Sequence, residues 1–454
     1  MKMKLKEVYS ALKLDVDDIA DIDVTGVCFD SRKAKTGDLF FPLKGERDGH
    51  DFIDSAVKNG VHATIWQSDH EIPNHDIPYV VVKDVSKAFD TLAKYYLAKV
   101  NPKVIAVTGS NGKTTTKDMI ASVLETNNNV ARTQKSFNNE IGVPYTILNM
   151  PINTEVLVVE MGMDRTGQIE HLSSLANPDI SVITMIGEAH IEFFGTRDKI
   201  ADAKMEIVSH LQEDGRFIYN GDEPLLRERA KNVKQRKYTF GSKDDETLYA
   251  TEINAGKNST SFKTNLWPEI EFTIPMMGDY NVNNALAALL VGLESHIKPE
   301  AMQKALKNLY VTENRTEWLK ASNGADILSD VYNSNPTAVI EVLSNLKNIP
   351  TEGRRILVLG DILELGDASR ELHESLADYI NSDDFAKVYL VGDYMKFLAD
   401  KLAVKYSSDD LNWYQKDQLD KLTDDIKKEL NSSDTLLLKA SHGIHLENVL
   451  HALI

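Results

Sequence analysis

The chain has 454 residues, with 51 Lys and Arg against 69 Asp and Glu, and its formal net charge is −18. This length predicts two or three domains. The acidic balance argues against sequence-independent nucleic-acid binding and against binding to anionic membranes. The single cysteine, Cys28, excludes an intramolecular disulfide and fits a reducing compartment. No apolar signal core and no membrane-length apolar run is visible, so we expect a cytoplasmic protein without membrane insertion.

The first segment, residues 1–99, predicts a small α/β domain. Short strands are indicated at 37–43, 63–66 and 79–82, with helical residues at 52–59 between them. A longer helix over 86–100 stops at an Asn-Pro pair.

The second segment, residues 100–314, predicts a mostly parallel sheet. Apolar runs at 104–108, 156–159 and 180–184 suit strands that are buried on both faces. Glycine and polar residues follow these runs, at the edge where such sheets bind ligands. Residues 238–275 predict an antiparallel addition before a helix over 283–293.

The third segment, residues 315–454, repeats the alternation of strands and helices. Strands are indicated at 327–331, 356–360, 388–392 and 435–439, without a glycine-rich loop of the dinucleotide type. We therefore expect a Rossmann-like domain that forms one side of the substrate-binding site and does not bind a second nucleotide. The fold class predicted for the whole chain is α/β with three domains.

The stretch VTGSNGKTTT, residues 107–116, predicts a phosphate-binding loop between a strand and a helix. Lys113 would reach the β- and γ-phosphates of a nucleotide, and Thr114 would ligate Mg²⁺. The spacing departs from GxxxxGK[ST], because Val107 occupies the place of the first glycine. The alternative, a tight turn with a surface lysine, leaves three consecutive threonines unexplained. The residues predicted to bind the nucleotide here, which the resemblance described below implies is ATP, are Gly109, Ser110, Asn111, Gly112, Lys113, Thr114 and Thr115.

Two further residues follow predicted strands. Glu160 could complete magnesium coordination, or it could be a solvated carboxylate at a strand end. His190 could be structural, but its place at the same sheet edge favours a role at a second metal.

Polar residues near the boundary to the third segment are also candidates for the nucleotide site. Asn281 and Asn284 could read an adenine edge or cap a helix. Arg315, at the boundary itself, could close onto a γ-phosphate as an arginine finger does. Asp330 ends a strand and precedes a polar turn that leads to Pro336.

Together these motifs resemble the Mur ligases, the ATP-dependent amide-forming enzymes of bacterial peptidoglycan synthesis. The resemblance covers essentially the whole chain. It is carried by TGSNGKTTTK (108–117), NNEIGVP (138–144), VVEMG (158–162) and IGEAHIEFFG (186–195), and at the N-terminus by DSR (30–32) and FPLKGERDGHDF (41–52).

The resemblance implies roles that the residues alone do not give. Glu160 would hold a first Mg²⁺, while His190 and a carbamylated Lys204 would hold a second; on sequence alone, Lys204 is a surface lysine. Asn281, Asn284, Arg315 and Asp330 would complete the ATP site. The implied substrate-binding residues are Ser31, Arg32, Lys44 and His50 at the UDP end, Asn138 and Asn139, and Asn333, Asn335 and Pro336 near the incoming amine.

Within the family, DVYNSNPTA (330–338) and LGDILELG (359–366) resemble the member that joins D-alanyl-D-alanine to UDP-N-acetylmuramoyl-tripeptide. The alternatives are the ligase that adds the third amino acid, which shares the N-terminal motifs, folylpolyglutamate synthase, and a nucleotide-binding switch protein. Two positions depart from the family pattern: Met185 replaces an asparagine, and Ala440–Ile444 replaces GSRGM, with His442 in place of the arginine. A monomer is the default expectation.

Overall fold

The computed structural model describes residues 1–310 and 317–454. The strands, in chain order, are β1 (Met3–Lys4), β2 (Asp23–Val24), β3 (Gly26–Cys28), β4 (Asp38–Phe40), β5 (Ala63–Gln67), β6 (Tyr79–Val82), β7 (Lys103–Thr108), β8 (Val130–Arg132), β9 (Val156–Glu160), β10 (Ile180–Ile183), β11 (Arg216–Asn220), β12 (Arg236–Gly241), β13 (Leu248–Ala255), β14 (Thr260–Thr264), β15 (Phe272–Ile274), β16 (Glu317–Lys320), β17 (Asp326–Asp330), β18 (Arg355–Gly360), β19 (Lys387–Val391), β20 (Leu411–Tyr414) and β21 (Thr435–Lys439).

The α-helices, in chain order, are α1 (Leu5–Ala11), α2 (Ile53–Lys58), α3 (Val85–Val100), α4 (Lys113–Leu124), α5 (Gly142–Asn149), α6 (Gln168–Ala176), α7 (Ile191–Phe194), α8 (Arg197–Met205), α9 (Pro224–Ala230), α10 (Asp279–Glu294), α11 (Pro299–Lys307), α12 (Pro336–Leu346), α13 (Ser369–Ser375), α14 (Met395–Leu402), α15 (Leu419–Glu429) and α16 (Leu446–Leu453). None of the helices in the described ranges is long and apolar enough to cross a membrane.

The chain divides into two compact units. The first comprises residues 1–108, 127–182 and 206–217, and the second comprises 109–126, 183–205 and 218–454. Strands β3, β4, β5 and β6 of the first unit form a parallel sheet in that order. In the same unit β9 pairs in parallel with both β7 and β8. The continuous apolar runs in β7 and β9 are buried, as expected for strands covered on both faces.

The second unit contains a six-stranded sheet in the order β16-β17-β21-β18-β19-β20, in which only β16 is antiparallel to its neighbour. Successive residues of its central strands enter two different hydrophobic clusters. Leu357 and Leu437 pack with apolar residues of α12 and α14, whereas Val358 and Leu438 pack with α15 and α16. Helices therefore cover both faces, which is the doubly wound arrangement expected of a Rossmann-like domain.

The predicted α/β class is confirmed, and most predicted strands differ from the observed ones by a residue or two. The antiparallel addition is present as β13, β14 and β15, although β12 pairs with β13 in parallel. Helix α10 begins at Asp279, four residues before the predicted start. The acidic side chain of Asp279 in the first turn favours this earlier start, because it complements the helix dipole.

Candidate active site

The phosphate loop of the second unit is shaped by two glycines and one threonine. Gly112, with φ of 77°, is the N-cap residue of α4, and a Cβ there would collide with Asn284 Oδ1. A Cβ on Gly109 would collide with Thr184 Oγ1, which donates a hydrogen bond to the carbonyl of Asn111. The loop is thus held in one shape, with its amides at the N-terminus of a long helix, where an anion is stabilised.

Lys113 folds back over this loop. Its Nζ donates to the carbonyl of Gly109 at 2.9 Å and to that of Ser110 at 3.4 Å. An ammonium group on the loop carbonyls can turn toward a polyphosphate without a change in the backbone. The amide of Ser110 donates to the carbonyl of Met185 at 2.9 Å. Met185 replaces an asparagine of the family pattern, but this contact uses the backbone and does not require that side chain.

A cavity opens beside the loop. It is bounded on one side by residues 110–115 and on the other by polar and charged residues of later elements, namely Asp118, Tyr280, Asn281, Asn284, Asp330, Asn333, Glu341 and Lys439. All of these belong to the second unit. The structure therefore brings the predicted ATP residues Asn281, Asn284 and Asp330 to the same cavity as the phosphate loop.

The side chains of Asn281 and Asn284 of α10 form hydrogen bonds with other groups of the protein. Asn281 Nδ2 donates to the carbonyl of Met277 at 2.8 Å, and Asn284 Nδ2 donates to Asn281 Oδ1 at 3.0 Å. Thr116 Oγ1 donates to Asn284 Oδ1 at 3.0 Å. Gly278 is the N-cap residue of the helix, so neither asparagine caps it. That Asn281 and Asn284 recognise the edge of an adenine base stays a prediction.

Lys439 and Glu341 line this cavity, and sequence reasoning did not select either. Lys439 is 1% exposed, forms an ion pair with Asp330 and donates to the carbonyl of Asn333 at 3.3 Å. Burial raises the pKa of Glu341 to about 7, although the positive charge of Lys439 opposes this shift. A usable signal existed for Lys439, because a lysine that ends an apolar parallel strand lies at the edge where ligands bind.

Lys204 lies on α8 and is buried, with 3% of its surface exposed, which corrects the prediction from sequence alone of a surface lysine. Burial, with a smaller contribution from the positive charge of Lys113, moves its pKa well below the ordinary value. Among the described residues no carboxylate offsets this shift. Both effects favour the neutral, nucleophilic form of the amine.

His190 is held against an acidic residue of the second unit. The residue has a left-handed backbone, with φ of 63°, and precedes α7. Its Nδ1 lies 2.5 Å from Oε2 of Glu364, and this contact lowers the pKa of the Glu364 carboxyl. Sequence reasoning found the segment that contains Glu364 but gave the residue no role.

A second cavity of the second unit contains His190 and the predicted amine-side residues. Its polar lining is Glu188, His190, Asn333, Ser334, Asn335, Glu364, Ser441 and His442. Asn333 lines both cavities. Asn335 caps α12 by accepting a hydrogen bond from the amide of Ala338 at 2.9 Å, and its side-chain amide exchanges hydrogen bonds with that of Asn111. Pro336 is the first residue of that helix, as predicted.

Glu160 in the first unit ends β9 and is paired in register with Val107 on β7. Its Oε1 accepts a hydrogen bond from Asn138 Nδ2 at 2.8 Å. Its Oε2 is buried and has no hydrogen-bond partner within the described part of the chain. An unpartnered buried carboxylate oxygen is a donor suited to Mg²⁺. Asn139, by contrast, accepts from the amide of Gly142 at 2.9 Å and so supports the start of α5.

The predicted UDP-end residues also belong to the first unit. Ser31 is buried, and exposed Arg32 forms a two-pronged ion pair with Asp30, at 2.8 and 2.9 Å. Lys44 forms an isolated β-bridge with Asp48.

His50, the remaining UDP-end residue, is buried. Its Nδ1 lies 2.7 Å from Asp48 Oδ1, and its ring stacks on that of His70. These three side chains are close enough to share a cation, but Gln67 N–H donates to His50 Nε2 and so places the ring proton on Nδ1, toward Asp48.

Arg315 lies outside the described residues, so its predicted contact with ATP stays a prediction. The position where the family has an arginine is filled by His442, which is exposed, and whose ring stacks at 6.2 Å from that of Tyr332. Ser441, next to it, accepts a hydrogen bond at its Oγ from the amide of Leu363 at 3.0 Å.

Three family models match successive parts of the chain. "Mur ligase family, catalytic domain" matches residues 23–97, "Mur ligase middle domain" matches 107–292, and "Mur ligase, glutamate ligase domain" matches 314–442. The chain is 41% identical over 432 residues to the UDP-N-acetylmuramoyl-tripeptide–D-alanyl-D-alanine ligase of Bacillus subtilis (strain 168), an alignment that covers 95% of this chain and 93% of that protein.

Solved structures give the same result. MurF from Acinetobacter baumannii superposes with a TM-score of 0.88 at 28% identity, covering 100% of this chain and 99% of that chain. MurF ligase from Thermotoga maritima, solved in complex with ADP, superposes with a TM-score of 0.82 at 29% identity, covering 95% and 97%.

Proposed function

Because this chain belongs to the Mur ligase family, we propose that it joins D-alanyl-D-alanine to UDP-N-acetylmuramoyl-tripeptide in peptidoglycan precursor synthesis. It is an ATP-dependent ligase that forms a carbon–nitrogen bond. The observation that carries the proposal is the pair of cavities that share Asn333, one beside the phosphate loop and one beside His190. A nucleotide in the first and an amine substrate in the second would lie next to each other.

The proposed reaction has two steps. An oxygen of the tripeptide's terminal carboxylate attacks the γ-phosphorus of ATP, and ADP leaves. The amine of D-alanyl-D-alanine then attacks the carbonyl carbon of the acyl phosphate, loses a proton and expels inorganic phosphate. Lys113 and the loop amides stabilise negative charge on the transferring phosphoryl group. Mg²⁺, when bound, would supply further charge stabilisation there.

We propose Thr114 and Glu160 as oxygen ligands of Mg²⁺. The unpartnered Oε2 of Glu160 supports its part in this assignment. His190 and Lys204 are proposed at a second cation, with Lys204 as a carbamate. The neutral amine of Lys204 would attack CO₂, forming an N–C bond and releasing a proton, and the product would be an anionic oxygen ligand. The buried position and lowered pKa of Lys204 support this modification.

The domain boundaries stay a proposal, with domains at 1–99, 100–314 and 315–454. The ranges of the three matched family models are consistent with these boundaries. The proposed substrates, ATP and a UDP-linked precursor, fit the expected cytoplasmic location, and the monomeric state stays a prediction.

The function is tested by the release of phosphate from ATP and Mg²⁺ with the UDP-linked tripeptide and D-alanyl-D-alanine, added singly and together. We expect release only when both are present, with a UDP-linked pentapeptide as product. The Lys113→Ala variant should lose this activity while remaining folded, because the γ-phosphate loses its cationic partner. Release with glutamate or a third-residue amino acid as the acceptor, in place of D-alanyl-D-alanine, would overturn the substrate assignment.

The carbamate is tested with the Lys204→Ala variant. We expect its activity to fall at least about 100-fold, because even outer-shell partners of a metal contribute about 10- to 100-fold and Lys204 would be a ligand itself. The activity should recover in part when a small carboxylic acid is added. In the parent enzyme, ¹³C-bicarbonate should give a carbamate signal by NMR. Lys199→Ala, which alters an exposed lysine of the same helix, is the control. Activity near the parental level in Lys204→Ala would rule out the modification.

A further inference from the structure

The segment Leu359–Gly366 resembles a family motif, yet no residue in it has a role in the proposed reaction. It leaves the sheet at Gly360, the last residue of β18, and turns through Glu364 into the region before α13. Glu364 has a left-handed backbone with φ of 63°. Non-glycine residues rarely adopt this conformation, and surrounding contacts must hold it where they do.

The side chain of Glu364 faces His190, which itself has a left-handed backbone with φ of 63°. Glu364 Oε2 lies 2.5 Å from His190 Nδ1, although the two atoms are not aligned as a hydrogen bond. A lone pair on Nδ1 would be repelled by a carboxylate at this distance, so the contact favours the tautomer with its proton on Nδ1. In the neutral ring this leaves the lone pair on Nε2.

The backbones of the two segments are joined at the same point. The amide of Glu192 donates to the carbonyl of Glu364 at 3.0 Å. Gly366, with φ of 53°, permits this approach, because a Cβ there would lie only 3.1 Å from Glu192 Cγ. Ile191 packs against the hydrophobic cluster that covers one face of the six-stranded sheet. The His190 segment is thus fixed against the Glu364 segment by backbone and side chain.

The Glu364 segment is also fixed by hydrogen bonds to other parts of the second unit. The amide of Ile362 donates to Nε2 of buried His373 at 3.1 Å, and the amide of Leu363 donates to Ser441 Oγ at 3.0 Å. Asp361 accepts a hydrogen bond from the amide of Met395 at 2.7 Å. These bonds fix the segment immediately before Glu364, so the fold sets the position from which its carboxylate reaches His190.

We propose that Glu364 is a positioning residue that holds His190 by Nδ1 and presents Nε2 to the cavity shared with Glu188 and Asn333. The inference rests on the proposed function, in which His190 serves the reaction as a ligand of the second cation. A carboxylate on the far nitrogen fixes the tautomer and ring orientation of a metal-binding histidine and raises its basicity.

The tautomer of His190 tests the inference without turnover or metal. The protein is labelled with ¹⁵N-histidine, and the signals of His190 are identified by their loss in His190→Gln. We expect the parent enzyme to show a protonated Nδ1 and an unprotonated Nε2 at neutral pH. In Glu364→Ala the proton should move to Nε2, the form favoured by unconstrained histidine. A parent enzyme with its proton on Nε2 overturns the inference, whether or not the variant folds.

Binding of Mn²⁺ to the ADP complex gives a second readout. Glu364→Gln keeps the shape of the side chain but removes its charge, and we expect about 10- to 100-fold weaker Mn²⁺ binding. Glu371→Gln, which alters an exposed carboxylate on α13, should bind Mn²⁺ as the parent does. Unchanged binding in Glu364→Gln, together with an unchanged tautomer in Glu364→Ala, would exclude the positioning role. If the tautomer moves while no phosphate is released from any substrate pair, the proposed function fails and the positioning role stands.

Discussion

Two of the buried lysines of the second unit, Lys439 and Lys204, differ in their partners. Lys439 forms an ion pair with Asp330, whereas the lowered pKa of Lys204 is offset by no carboxylate of the described residues. A buried charge is retained when a counter-charge and hydrogen bonds replace water, and otherwise the group becomes neutral. Lys439 is thus suited to binding an anion as a fixed cation, while Lys204 is suited to reacting as a free amine.

The Lys439–Asp330 pair gives a prediction at this scale. Lys439→Met leaves Asp330 without its partner, and we expect a loss of about 3–5 kcal/mol in the free energy of unfolding, with weaker ATP binding. The double variant Asp330→Asn/Lys439→Met should regain much of the stability, because no unpaired charge remains, but not the ATP affinity. Denaturant unfolding and nucleotide titration measure the two effects. Full recovery of ATP affinity in the double variant would show that Lys439 acts only on the fold.

At the scale of elements, the candidate site is formed by loops at the ends of strands, and hydrogen bonds from other elements fix those loops. The phosphate loop is shaped by Thr184, which follows β10. Asn335 caps α12 and exchanges hydrogen bonds with Asn111 of the phosphate loop, so the start of one helix is tied to the phosphate-binding turn before another. His373 on α13 holds the segment that contains Glu364.

The hydrogen bond between His373 and the segment that contains Glu364 depends on pH. Its Nε2 accepts a hydrogen bond and its Nδ1 lies 2.6 Å from the carbonyl of Ser369, so the buried ring is neutral. Burial lowers the pKa of His373, while the bond to Ser369 opposes this. The stability contributed by the neutral ring is therefore complete above the unfolded pKa of about 6.5 and is lost as pH falls toward the folded pKa.

We predict that His373→Gln destabilises the protein by about 1–3 kcal/mol near pH 7.5, because the amide of Ile362 loses its acceptor. The difference from the parent should shrink as pH falls from 7 to 5, because only the parent loses the contribution of this ring. Unfolding midpoints across that range measure it. His451→Gln removes an exposed histidine and should show no such convergence. A difference for His373→Gln that stays constant with pH would contradict the assignment.

At the scale of the whole molecule, the sequence predicted what local pattern determines. Apolar runs bounded by glycine predicted the positions of the strands, and the glycines with Lys113 predicted the phosphate loop. The pattern could not show that Lys204 is buried, because its helix is polar on average and burial there depends on distant packing. It could not find the contact between His190 and Glu364 either, since the two residues are 174 positions apart in the sequence. Contacts of that kind arise from strand order, which periodicity does not encode.

The most direct test of the proposed function follows oxygen atoms through the reaction. The terminal carboxylate of the UDP-linked tripeptide is labelled with ¹⁸O at both oxygens and incubated with ATP, Mg²⁺ and D-alanyl-D-alanine. We predict that each turnover leaves one ¹⁸O in the new amide and one in the released phosphate, as an acyl phosphate requires. A UDP-linked pentapeptide formed with unlabelled phosphate would contradict the mechanism, and the absence of that product would contradict the function.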